Sequence, residues 1–123
     1  MAIEIPGLDV GSALELCDGN TKIFLNSLRL FVSSIPADLV KMKSVSAETL
    51  MDYSATVHGV KSMSQYIGAE EIRKTAKQLE AMSKDGDLAG VMAHNDIFIK
   101  YAEGIVDVVR SWLEKNGELG MRS

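Results

Sequence analysis

His58 and Lys61 are the residues of this chain whose types and spacing suit chemistry. A neutral imidazole is a nitrogen nucleophile near physiological pH. An ammonium three residues on stands one helical turn away on the same face. Counted at about 100° per residue, Met51, Ser54, Ala55, Lys61, Ser62 and Gln65 lie within about 60° of His58. Thr49, Tyr53, Thr56, Val60, Met63 and Ile67 fall on the other side, which is the more apolar and is expected to face a core. The imidazole is then turned outward among small or polar neighbours. A lone histidine so placed is either an inert surface residue or a group free to meet a large partner. Helical phase alone does not decide between the two.

The second histidine reads differently. His94, Phe98, Tyr101, Ile105, Val108 and Trp112 lie within about 40° of one line, with Asp96, Lys100, Glu103, Asp107, Arg110 and Glu114 opposite. His94 is therefore expected to be a partly buried packing residue. Two histidines on different helices, in opposite phases and without local ligand spacing, give little support to a zinc site. No Walker-type or kinase-type glycine loop is present, so ATP binding is not indicated. No strained nucleophile turn supports a Ser/His/Asp hydrolase. No metal and no cofactor is expected on this chain.

The elements that must position His58 follow from composition and period. A chain of 123 residues suits one domain, and 46% hydrophobic residues can build a core without metals or disulfides. Cys17 is the single cysteine. No apolar run approaches the roughly 18 residues of a membrane span. The opening Met-Ala-Ile-Glu-Ile-Pro-Gly lacks a basic region followed by an apolar stretch, so the cytoplasm is the expected compartment. A net charge of −4 without a basic cluster argues against nucleic acid as a partner. Strand signals are nearly absent.

Residues 1–8 read as an extended lead-in. Asp9 caps a short helix over about 10–17, with Val10, Ala13, Leu14 and Leu16 apolar. Such a short helix is expected to lie across one end of a bundle. Gly19 ends it and Asn20 caps a second helix over about 21–44, whose stripe is Phe24, Leu28, Phe31, Ile35, Leu39 and Met42, with Val32 at the edge. Pro36 interrupts that stripe without shifting its phase, which favours one kinked helix over two. Ser46 is the expected cap of the His58 helix, and Gly68 ends it after Ile67. A fourth helix covers about 69–84, with Glu70 and Glu71 suiting its dipole and Ile72, Ala76, Leu79 and Met82 or Ser83 at core spacing. Asp87 caps a fifth over about 88–115, which Asn116-Gly117 stops. Short loops between long helices imply antiparallel neighbours. The expected fold is all-α: an antiparallel up-down-up-down four-helix bundle with a short extra N-terminal helix across one end. It spans 1–117 as one domain, and 118–123 reads as a disordered tail or cloning remnant.

The stretch His58-Gly-Val-Lys61-Ser62-Met-Ser-Gln-Tyr-Ile-Gly68-Ala69 resembles the signature of histidine-containing phosphotransfer (HPt) domains. That signature has an apolar residue two after the histidine, a lysine at three, a glycine or serine at four, and a Leu/Ile-Gly pair at nine and ten. The opening Gly7-Leu-Asp-Val-Gly-Ser-Ala-Leu, the Cys-Asp-Gly-Asn turn before a Phe/Leu-rich helix, and Leu79-Glu80 before a Gly-Asp turn are similar to the family as well. The likeness covers about residues 5–115.

The resemblance implies a phosphoryl carrier of a multi-step His-Asp phosphorelay, without ATP-binding or autonomous kinase motifs. His58 is then the phosphoacceptor, taking phosphate from a receiver-domain aspartate and passing it to another receiver. Lys61 sets an ammonium beside the phosphoryl oxygens. Ser62, where many members have glycine, keeps room for the partner's backbone. Gln65 either hydrogen-bonds the lysine or phosphoryl group or is an ordinary surface residue. Gly68 lets the next helix turn back close beside the first. Glu80 and Lys84 match positions that face the histidine. Glu80 there would orient the imidazole or Lys61, and Lys84 would add positive charge; the family often has glutamine where Glu80 stands, which puts the role of a carboxylate in question. The implied partners are receiver domains of hybrid histidine kinases and response regulators, which supply the Mg²⁺; a monomer is expected, with no membrane partner. Met51 and Ala55 are candidates for the docking surface. The alternative is a helical adaptor or inhibitor that binds receiver or kinase domains without carrying phosphate.

Overall fold

The computed structural model describes residues 3–119. It contains α1 (Val10–Leu16), α2 (Thr21–Lys43), α3 (Leu50–Ile67), α4 (Glu70–Lys84) and α5 (Leu88–Lys115), with no strand among the described residues. Each long helix packs on the next and α5 closes back onto α2, while α1 lies on α3 and α2. This is the antiparallel four-helix bundle with a short N-terminal helix.

The helix starts are set by side-chain caps. Asp9 accepts from the Ser12 amide, Asn20 from Ile23 and Asp87 from Gly90, each satisfying an amide that has no partner inside its helix. The α3 start differs from expectation. Ser46 does not cap it; residues 47–49 form a turn, Leu50 opens the helix, and the capping position falls to Thr49, whose side chain instead accepts from the Ser46 amide at 2.9 Å. The hydroxyl is used to close the preceding turn and is not aimed at α3. At the other end Gly68 takes the left-handed conformation, φ 76°, and ends α3. A Cβ at Gly68 would overlap the backbone of Asp9, whose amide donates to the Gly68 carbonyl at 2.8 Å. The glycine thus admits the start of α1 as well as the turn into α4.

The α2 stripe is buried as expected, from Phe24 and Leu28 through Phe31, Val32, Ile35 and Leu39 to Met42. By length and composition α2 is apolar enough to cross a membrane, which corrects the expectation that no segment approaches this. In the fold its stripe is spent on the bundle core. The helix runs through Pro36 as one element. Proline has no amide to give to the carbonyl four residues back, that of Val32. Arg110 of α5 donates to that carbonyl at 3.3 Å.

The apolar phases of α3 and α1 differ from expectation. The buried side of α3 is Leu50, Tyr53, Ser54, Val57, Val60, Ser64 and Ile67, so Thr49, Thr56 and Met63 are not its centre and Ser54 is buried. On α1, Val10 and Ala13 are buried but Leu16 is exposed. The core is crossed by one polar chain: the Tyr53 hydroxyl donates to Asn95 Oδ1 at 2.8 Å, and Asn95 Nδ2 donates to the Met42 carbonyl at 2.9 Å. It ties α3, α5 and α2, and burial pushes the Tyr53 phenol well above its ordinary range. The tail expected from 118 onward falls mostly on residues 120–123, outside the described residues; Glu118 itself pairs with Arg29 of α2 at 2.7 Å.

Candidate functional site

His58 stands in the middle of α3, exposed, beside Gly59, which has open space where a side chain would be. Ala55 is also exposed and Ser62 is half-buried, so little bulk surrounds the ring. α4 packs closely along α3, and Ala76, Glu80 and Ser83 are among its buried residues. Glu80, on the fourth turn of α4, is thereby brought against His58 and is only 5% exposed.

Three groups converge on that carboxylate. His58 Nδ1 is 2.9 Å from Oε2, Lys61 Nζ is 2.6 Å from Oε1, and Lys84 Nζ is 3.0 Å from Oε2. Burial works to raise the Glu80 carboxyl, but hydrogen bonds from Lys61, Lys84 and His58, with the Lys61 charge, hold it down at about 2. Glu80 is therefore ionised and can only accept. The proton it accepts from the neutral ring is on Nδ1, which leaves the lone pair on Nε2, across the ring from Glu80. With two ammonium groups against one carboxylate, the cluster carries one positive charge in excess and suits an arriving anion.

Of the residues singled out in the sequence, the fold brings together His58, Lys61, Glu80 and Lys84. Glu80, left open between His58 and Lys61, contacts both. Gln65 is exposed about two turns further along α3, and its side chain makes no hydrogen bond among the described residues. Ser62 adjoins the cluster without entering it. Gly68 is at the end of α3 and acts on the backbone. What sequence reasoning missed is the burial of Glu80. The signal that could have found it is its place four residues after Ala76 and three before Ser83, on the stripe that α4 buries.

About two turns before His58, Met51 is exposed, and Ala55 helps line a groove between α2 and α3, with Val40, Lys41, Val45 and Asp52. Another groove lies between α4 and α5, lined by Thr75, Gln78, His94, Ile97 and Tyr101. His94 is exposed there, against the expectation of a packing residue. Asn95 takes the buried position because Tyr53 and the Met42 carbonyl satisfy its amide. Glu71 lines this groove as well, but among the described residues it makes no ion pair or hydrogen bond with His94. Among the described residues no cluster of His, Cys, Asp and Glu could hold a metal ion.

The structure thus braces an outward imidazole on a four-helix bundle. The family model of the Hpt domain matches residues 26–114, and the chain belongs to the Hpt family. The family's work is histidine phosphotransfer in two-component phosphorelays, where its members meet receiver domains of kinases and response regulators. Comparison with curated proteins and with solved structures gives no match.

Proposed function

We propose that the chain is a phosphoryl carrier between two receiver domains and that His58 is its acceptor. The observation that carries this is the exposed His58 ring whose Nδ1 is bound to the buried Glu80 carboxylate. Nε2 of the neutral ring attacks the phosphorus of a receiver's phospho-aspartate, and the aspartate carboxylate leaves. Lys61 and Lys84, which share the Glu80 carboxylate with the ring, then turn from it toward the phosphoryl oxygens as charge builds there. The receiver contributes the Mg²⁺, so the carrier needs no metal of its own. Ser62 and Gly59 leave room for the partner's backbone. Met51, Ala55 and the α2–α3 groove make the apolar part of the docking surface, with the charged cluster on its rim. The carrier works in the cytoplasm as a monomer.

Incubation with a phosphorylated receiver tests the reading. The expected result is an acid-labile, base-stable label that is lost in His58→Gln and kept in His94→Gln. A chain that binds the receiver but never takes label is an adaptor, and the carrier reading is then wrong. NMR titration with an unphosphorylated receiver is expected to shift resonances around His58 and Met51. Shifts clustered on the His94 groove would contradict the docking surface.

A further inference from the structure

To orient the ring, an acceptor at Nδ1 is enough, and a neutral amide would serve. Glu80 brings a full negative charge as well, held 2.9 Å from Nδ1 in a buried position. That charge acquires a use once Nε2 carries phosphorus. In the first step the Nε2 lone pair becomes the N–P bond, and the electrons of the acyl P–O bond leave with the donor carboxylate. Nothing is oxidised or reduced and no proton moves, so the ring keeps Nδ1–H and becomes cationic. In the onward step an acceptor carboxylate attacks phosphorus and the N–P electrons return to Nε2. If Nδ1 still holds its proton, the ring departs as neutral imidazole. If the proton has gone, the ring must depart as an anion, a much poorer leaving group.

We propose that Glu80 retains the Nδ1 proton on the phosphorylated ring and so keeps the phosphoryl group transferable. Glu80 is thus a positioning residue for the onward step as well as the first. The inference rests on the reading of His58 as the acceptor. The charges facing the ring are Glu80 and Lys84 from α4 and Lys61 on its own helix. α1 and α2, which also pack on α3, bring no charged side chain into ion-pair distance of the ring or of Glu80 among the described residues. The two ammonium groups oppose a ring proton, but they reach the ring only through the Glu80 oxygens, and a phosphoryl group on Nε2 offers them a second partner.

The test uses the whole chain, loaded with phosphoramidate, a small donor that needs no partner protein. After the donor is removed, loss of the N–P signal to hydrolysis is followed by phosphorus NMR from about pH 6 to about pH 10, beside free Nε2-phosphohistidine. The rate is expected to stay high to a higher pH in the chain than in the free amino acid. Glu80→Gln keeps an acceptor but not the charge, and is expected to move the fall in rate to lower pH by about one unit, so that its label outlives the wild type several-fold near the midpoint. Lys84→Met removes an opposing charge and is expected to move it the other way. Superimposable profiles for wild type and Glu80→Gln, or shifts of both variants in one direction, overturn the inference. Should Glu80→Gln fail to fold, the comparison of wild type with free phosphohistidine and with Lys84→Met still decides. Label on His58 with an unmoved profile overturns this inference alone; a wild type that takes no label on His58 overturns the acceptor reading with it.

Discussion

Pro36 and Arg110 are predicted to be energetically coupled although they lie on different helices. Proline at 36 leaves the Val32 carbonyl without its helical amide, and the Arg110 guanidinium donates to it at 3.3 Å. A hydrogen bond from a charged donor at that length, on a half-buried side chain, is worth about 1 kcal/mol. Arg110→Ala should therefore cost about that much in the wild type. Its ion pair with Asp107, 3.8 Å and largely exposed, adds nothing measurable. In a Pro36→Ala background the backbone amide restored at position 36 returns to the carbonyl, and the same Arg110→Ala change should cost no more than about 0.3 kcal/mol. The assay is a double-mutant cycle by urea unfolding, with melting as a second readout. For 123 residues the entropy of unfolding makes 1 kcal/mol equal to about 4 °C in Tm. Equal costs of Arg110→Ala in the two backgrounds would show that the arginine does not serve the carbonyl that proline strands.

Gly68→Ala and Gly86→Ala form a contrasting pair. Both residues have positive φ, 76° and 75°, but only Gly68 faces a backbone, that of Asp9. Thermal unfolding should show a loss of about 1 kcal/mol for Gly86→Ala and about 3 kcal/mol for Gly68→Ala, which also breaks the Asp9 amide bond; matching losses would refute the close approach. Glu80 should make stability depend on acid. Its carboxyl lies at about 2 against an ordinary 4.5, so its contribution is complete above pH 4.5 and is lost as pH falls toward 2. Two of its three partners face solvent, which reduces the nominal gain to about 1–2 kcal/mol, and the stability gap between wild type and Glu80→Gln should narrow over that window in denaturant titrations. In transfer kinetics with a receiver, Lys61→Met should slow labelling about tenfold to a hundredfold, and Lys84→Met only a few-fold, because Lys61 is 26% and Lys84 60% exposed. The reverse order would remove Lys61 from the leading role.

Much of the fold was legible because local chemistry marks it. Asp9, Asn20 and Asp87 sit before periodic apolar runs and cap them, and Gly68 follows the last apolar residue of α3 and ends it. Where a helix face was misread, packing partners far along the chain decide which side is buried. On α3, Ser54 and Ser64 look polar yet are buried, Ser64 returning its hydroxyl to the Val60 carbonyl at 2.7 Å. On α5, Asn95 enters the core because Tyr53 and Met42 await it, and His94 is rotated outward as a result. The candidate site was legible as to which residues, since His58 and Lys61 share a face and Glu80 and Lys84 share another. Their convergence was implied only by the family resemblance, and the burial of Glu80 was not foreseen, because it depends on the packing of α4 on α3.

All four side chains of the cluster stand on helical turns, and none belongs to a connecting segment. A site mounted in this way needs none of the described connecting segments to order before it can act. In the proposed relay, how long a phosphoryl group dwells here would be governed by the arrival of an acceptor, and the carrier would behave as a fixed terminal at which moving partners call in turn.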